Sequence, residues 1–181
     1  MDDMPDGSVG EARTDPDELL AFWETARFRG KVVRTPEVTG LGVAGTLVPP
    51  AWSFGDTPEL ADALLALVLD GRKTATATAV VEFEAAGEPL PVVGDLSIVL
   101  DGLGRPRALL RTTAVRRVRF ADVDAAHAAA EGEVDGSLES WRTDHDRYWR
   151  RVLPALGTQV GPDLELVLER FELRYPTARD G

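Results

Sequence analysis

The chain has 181 residues, 44% of them hydrophobic and 28% charged, with no cysteine and a formal net charge of −11. That length fits one ordinary domain of about 100–200 residues, able to fold without disulfides or a structural metal. The missing cysteine excludes thiolate zinc sites, iron–sulfur clusters and cysteine nucleophiles, and the acidic balance argues against a general nucleic-acid coat and against DNA as a partner.

Residues 1–15 are rich in Asp, Gly and Pro without periodicity and read as a disordered acidic lead. They carry neither the basic nor the apolar stretch of a signal peptide. No apolar run in the chain approaches the roughly 18–20 residues of a membrane span. The expectation is a soluble, cytoplasmic domain over residues 16–177 with no membrane contacts, followed by a short tail at 178–181.

Asp15-Pro16-Asp17 offers a capping carboxylate and a proline at the first helical position. Leu19, Leu20, Phe22, Trp23 and Ala26 then follow at helical spacing, up to about Gly30. Residues 31–50 read as extended or loop. A second helix begins at Asp56-Thr57-Pro58-Glu59, carries Leu60, Ala63, Leu64, Leu67 and Val68 on one face, and stops at Gly71. The β-branched alternation from Thr74 to Glu84 predicts a strand, broken by Pro89 and Pro91. Strands over 94–100 and 107–115 are joined by Asp101-Gly102-Leu103-Gly104, a hairpin turn by composition. A short Ala-rich helix over 122–131 and a turn from Gly132 to Gly136 come next. Ser137 caps a longer helix with Leu138, Trp141, His145, Tyr148, Trp149 and Val152 along one stripe. Leu164 to Tyr175 is the last strand. Strands and helices come in runs, so the predicted class is α+β, with mostly antiparallel strands suited to a small barrel or strongly curved sheet.

Three places carry candidate chemistry. Only two of the 20 basic residues are lysines, Lys31 and Lys73. Arg cannot lose its proton, so a Lys in an Arg-using chain raises the question whether an amine is specifically needed there. Lys73 sits in Gly71-Arg72-Lys73-Thr74-Ala75-Thr76, where a helix hands over to a strand. There an amine with a lowered pKa can activate a threonine. In a regular strand Lys73 and Thr76 point to opposite faces, so they converge only if Lys73 still belongs to the turn or if its long stem curls around. The bland alternative is a solvated lysine before a half-buried strand. The second place is Val123, His127 and Glu131, which share a helix face. A carboxylate at a helix C-terminus opposes the dipole, which points to a role for Glu131 or to a neighbouring cation. The third is the stripe of Trp141, His145, Tyr148 and Trp149, either a core face or an aromatic wall on which a base stacks, with Trp52 and Phe54 as the other wall. His127 and His145 fall on different helices without metal-ligand spacing, so neither a metal nor a cofactor is expected.

Taken in order, Trp52-Ser53-Phe54-Gly55-Asp56, Gly71-Arg72-Lys73-Thr74-Ala75-Thr76, Leu90-Pro91-Val92-Val93-Gly94-Asp95 and the stretch from His127 through Glu131-Gly132-Glu133-Val134-Asp135 to Trp141-Arg142 resemble the ASCH domain family in its longer bacterial form. The resemblance covers about Asp15 to Pro176. It implies a PUA-like fold, a small β-barrel with helices packed at its rim, and a cleft lined by these motifs. Smaller members resemble amidohydrolases that remove the acetyl group from N4-acetylcytidine. By that resemblance Thr76 is the nucleophile, Lys73 its base, and Glu131 the orienting group or acid. Trp52, Phe54, Arg72, Thr74, His127, His145 and Tyr148 would bind the substrate, and Arg72 or a backbone N–H would face the oxyanion. Other long members resemble single-strand ribonucleases. The partner is therefore a small modified nucleoside or, as the alternative, single-stranded RNA bound or cleaved in the same cleft. The chain departs from the longer form at Val134, where a glycine is usual.

Overall fold

A computed structural model describes residues 14–32 and 47–177. The acidic lead up to residue 13, most of the 31–50 stretch and the tail from residue 178 lie outside the described residues. In chain order the elements are helix α1 (Pro16–Arg29), strand β1 (Ala51–Trp52), helix α2 (Pro58–Leu69), strand β2 (Ala75–Ala79), helix α3 (Val80–Ala86), strands β3 (Leu96–Leu100) and β4 (Pro106–Arg119), helices α4 (Ala125–Glu131) and α5 (Leu138–Val152), and strand β5 (Glu165–Tyr175). The caps read from sequence are in place. Asp15 accepts from the Asp17 N–H, Thr57 from the Leu60 N–H and Ser137 from the Ser140 N–H. No helix among the described residues is long and apolar enough to cross a membrane.

The strand expected from Thr74 to Glu84 is corrected: it ends at Ala79 and the chain turns directly into α3. The cause is tertiary. Glu82 Oε2 accepts the Ala79 N–H at 2.8 Å and the Trp149 indole N–H at 3.1 Å, while its Oε1 accepts the Tyr148 hydroxyl at 3.2 Å. A strand could not bring this carboxylate back to its own third-preceding amide, so a helix start displaces the β propensity of Val80, Val81 and Phe83.

The five strands form one sheet in the order β1-β3-β4-β5-β2. All pairings are antiparallel except the two-residue β1, which runs parallel to β3. The expected small barrel is corrected here too. No pairing joins β1 to β2 among the described residues, so the sheet stays open. Side chains from both edges, Trp52 on β1 and Thr76 on β2, line one cavity. The sheet thus curves toward closure and stops short, leaving its gap as a cleft.

Side-chain alternation divides the core. Ile98, Leu100 and Leu109 pack against Trp23 and Ala26 of α1. Val99, Ala108, Leu110 and Phe171 pack against Phe54 and against Leu65 and Val68 of α2. Ala79, Leu166 and Leu168 hold Trp141 and Trp149 of α5. Trp149 is fully buried and also bonds Glu82. Trp149→Ala should therefore lower unfolding free energy by about 3–5 kcal/mol, read from the urea midpoint, and Trp149→Phe by less.

Candidate functional site

The site is made where the end of α2 meets the end of α4. Gly71 (φ +74°) reverses the chain after α2, and the N–H groups of Arg72 and Lys73 both bond the Leu67 carbonyl at 2.9 Å. Lys73 thus belongs to the turn and not to β2. This is the condition under which it can share a side with Thr76, and both residues line the same cavity. The Thr74 N–H and hydroxyl both donate to the Ala130 carbonyl, at 2.8 and 3.1 Å, which ties the start of β2 to the last turn of α4. Gly132 (φ +65°) completes the junction, since a Cβ there would lie 2.3 Å from the Arg72 carbonyl oxygen.

This backbone contact delivers the central interaction. Lys73 is 2% exposed, and its Nζ donates to Glu131 Oε2 at 2.9 Å and to Glu133 Oε1 at 2.5 Å. Glu131, 1% exposed, also accepts on Oε1 from the Trp141 indole N–H at 2.8 Å and from His127 Nε2 at 2.9 Å. His145 Nε2 stands 3.6 Å from Glu131 Oε2, and His145 Nδ1 lies 3.0 Å from the Trp141 carbonyl. A carbonyl only accepts, so Nδ1 carries the hydrogen; by the same logic His127 carries one on Nε2. The Lys73 ammonium also lies 5.2 Å from the centre of the Phe54 ring.

Burial by itself pushes the Lys73 amine down, but the charges and hydrogen bonds of Glu131 and Glu133 outweigh it and hold the amine above its ordinary value. Burial likewise pushes Glu131 up, yet the Lys73 charge and the hydrogen bond from His127 hold it well below its ordinary 4.5. The pair rests as ammonium and carboxylate. Lys73 is the cation that the position of Glu131 at a helix C-terminus calls for.

The cavity measures about 840 Å³, within the range of about 300–1,000 Å³ usual for small-molecule sites. Trp52 and Phe54 meet edge to face at 4.6 Å on one wall. His145, stacked on Trp141 at 4.0 Å, and Tyr148 contribute from α5. Seven carboxylate side chains line the cavity against three basic ones, Lys73, Arg147 and Arg151. Each basic group is already answered, Arg147 by Asp144 at 3.1 Å and Arg151 by Asp56 at 3.0 Å. No group of His, Asp and Glu fit to hold a metal ion occurs among the described residues.

Of the residues expected at the site, Lys73, Thr76, Glu131, Trp52, Phe54, His145 and Tyr148 line the cavity. Three expected substrate contacts do not. The Arg72 side chain is exposed, because the turn that buries Lys73 sends its neighbour outward. Thr74 spends its hydroxyl on Ala130, and His127 is buried where it can act only through Glu131. From sequence alone Glu133 and Glu169 carry no role, and Trp141 is only part of a stripe. Glu133 had a usable signal, since a glycine in Glu131-Gly132-Glu133 lets two carboxylates fold back on one cation. Glu169 had none, because only strand register brings it to the cavity. Val134 keeps a left-handed φ of +49°, so the loop holds a glycine-like conformation without the glycine.

A family model described as ASCH domain matches residues 50–175. The crystal structure of an ASCH domain from Lactobacillus crispatus JV V101 is similar at 27% identity and a TM-score of 0.75, over 90% of this chain and 96% of that one. A protein from Enterococcus faecalis V583, described under the family model DUF984, is similar at 30% identity and a TM-score of 0.73, over 91% and 94% of the two chains. No functionally curated protein matches the chain.

The junction makes three predictions. Gly132→Ala should lower the melting temperature by several degrees, since a backbone carbonyl must move to admit the methyl group. Lys73→Met leaves Glu131 charged and buried and should cost about 3–5 kcal/mol, with much of the loss recovered in Lys73→Met/Glu131→Gln. Glu131 is depressed on folding, so its contribution is present above about pH 4.5 and is lost as pH falls through its lower folded value. Lys73 is raised, so its share is present below about pH 10.5 and is lost as pH rises past its folded value. Urea unfolding across pH checks both limbs, and Glu131→Gln should flatten the acid one.

Proposed function

The chain belongs to the ASCH domain family, and on that premise we propose that it is an amidohydrolase acting on an uncharged modified nucleoside of the N4-acetylcytidine kind. The observation that carries this reading is the buried Lys73–Glu131 pair lining the same cavity as Thr76, a cavity whose basic side chains among the described residues are all neutralised. Thr76 Oγ attacks the acetyl carbonyl. Lys73, resting as an ammonium, presents positive charge to the oxygen on which negative charge develops, a role that favours the transition state over the ground state. Glu131 holds that ammonium in place, and His127 and Trp141 hold Glu131. Trp52, Phe54 and Tyr148 supply flat apolar surface for a nucleobase.

Charge separates this reading from RNA binding or cleavage. A phosphate chain needs cations free to replace its counterions. Four of the five arginines of β4 are committed instead, Arg107 to Asp101, Arg116 to Asp124, Arg117 to Glu165 and Arg119 to Asp122. An acidic cavity with no spare Lys or Arg among its described lining residues suits a neutral nucleoside better than a phosphodiester.

Incubation with N4-acetylcytidine, with cytidine followed by chromatography, tests the proposal. Wild type should release cytidine, and Thr76→Val, which keeps shape and strand propensity, should abolish release with an unchanged melting temperature. A wild type that releases nothing overturns it. Cleavage of single-stranded RNA with a steep salt dependence would then take its place.

A further inference from the structure

We infer that Glu169 on β5 is the base that takes the proton from Thr76, a step that rests on the amide hydrolysis proposed above. The hydrolysis needs a proton acceptor for the threonine hydroxyl, and the residues around Lys73 do not supply one. The Lys73 amine already holds its full complement of protons against two carboxylates, and Glu131 and Glu133 are both committed to it. The sheet register provides another carboxylate. Thr76 on β2 stands directly opposite Glu169 on β5, and both side chains line the cavity. Directly opposed residues have Cβ atoms about 4.5–5.5 Å apart, which brings a threonine hydroxyl within reach of a glutamate, directly or through one water.

The surroundings of Glu169 suit a base. From β4, the Thr112 hydroxyl donates to Oε2 at 3.3 Å and fixes the carboxyl. Among the described residues no donor reaches its other oxygen, and the Thr76 hydroxyl is likewise without a partner. From the segment before β3, Asp95 faces it with like charge. Burial pushes the Glu169 carboxyl up, the Thr112 bond pulls it down and the Asp95 charge adds to the rise, with a net result above its ordinary value. A base closer to neutrality is a more effective one. No cation is among the groups that act on it, in contrast to Glu131.

Glu169 takes the Thr76 hydroxyl proton as Oγ bonds to the acetyl carbon and the carbonyl electron pair moves onto oxygen, opposite the Lys73 ammonium. The carbonyl re-forms as the C–N4 bond breaks, and Glu169 returns its proton to the departing nitrogen, giving cytidine. A water then adds to the acetyl-threonine while Glu169 takes its proton. Thr76 Oγ leaves with that proton, and the acetyl group departs as acetic acid, which gives its remaining proton to solvent and becomes acetate.

The test is the dependence of kcat and KM for N4-acetylcytidine on pH, in wild type, Thr76→Val, Glu169→Gln and Thr112→Val. Glu169→Gln should lower kcat by about 10²–10⁴-fold, with KM changed by no more than a few-fold. In wild type kcat should fall on the acid side as Glu169 takes up a proton. Thr112→Val removes the bond that lowers the Glu169 pKa, so this limb should move to higher pH, a shift that a purely structural role for Glu169 does not produce. Wild-type kcat in a folded Glu169→Gln, with Thr76→Val inactive, overturns the inference and leaves the hydrolase reading intact. A limb unmoved in Thr112→Val also overturns it, and decides alone if Glu169→Gln does not fold. A wild type inactive on this substrate instead removes the hydrolase reading and this step with it.

Discussion

Burying a charged amine is tolerable only where opposite charge and hydrogen bonds meet it, and the Lys73–Glu131 pair meets that condition with contributions from three elements. The turn after α2 supplies the amine, the end of α4 supplies the carboxylate, and α5 supplies the indole N–H of Trp141. None of these segments places its group alone. The pairing of Thr74 with Ala130 and the close approach of Gly132 to Arg72 are what bring the ends of α2 and α4 together. Stability and site geometry are therefore the same contact seen from two sides, and changes that loosen the junction expose a charge as well as displace it.

The second constraint is the unfinished sheet. A closed barrel would satisfy the edge strands with one another and fill the space between them with side chains. Here β1 is two residues long and pairs only with β3, while β2 gives way to α3 after five residues. The gap becomes a cavity bordered by aromatic side chains from one edge and by Thr76 from the other. The bend into α3 depends on Glu82, which is bonded by Tyr148 and Trp149 of α5. The helix that supports Glu131 thus also ends the strand that carries Thr76.

The charge of the cavity narrows its chemistry further. Its acidic lining and its paired arginines leave no unclaimed Lys or Arg among the described residues that line it, although the sequence places ten arginines between residues 105 and 151. A count of basic residues along the chain cannot show this, because partners such as Asp56 for Arg151 and Glu165 for Arg117 come from distant segments. The same cavity holds two carboxylates in opposite conditions: Glu131 is depressed by a cation, and Glu169 is raised by burial and a like charge. Environments that push two acids apart allow one to stay a fixed charge while the other exchanges protons.

Local chemistry determined much of this protein from sequence alone. Caps and helical spacing marked α1, α2 and α5, alternation and turn residues marked the β3–β4 hairpin, and the rarity of lysine singled out Lys73. The order of the motifs identified the family. All of these signals lie within a few residues of one another, where propensity and periodicity operate. Tertiary structure decided the rest. The strand predicted to Glu84 stopped at Ala79 because a carboxylate was held by a helix more than sixty residues away. The sheet stayed open because its edges found no partner in each other. Arg72 and Thr74, adjacent to Lys73 in sequence, left the site because a turn sends successive side chains in different directions. Glu169 entered it through strand register, which is a property of two segments at once and is written in neither of them separately.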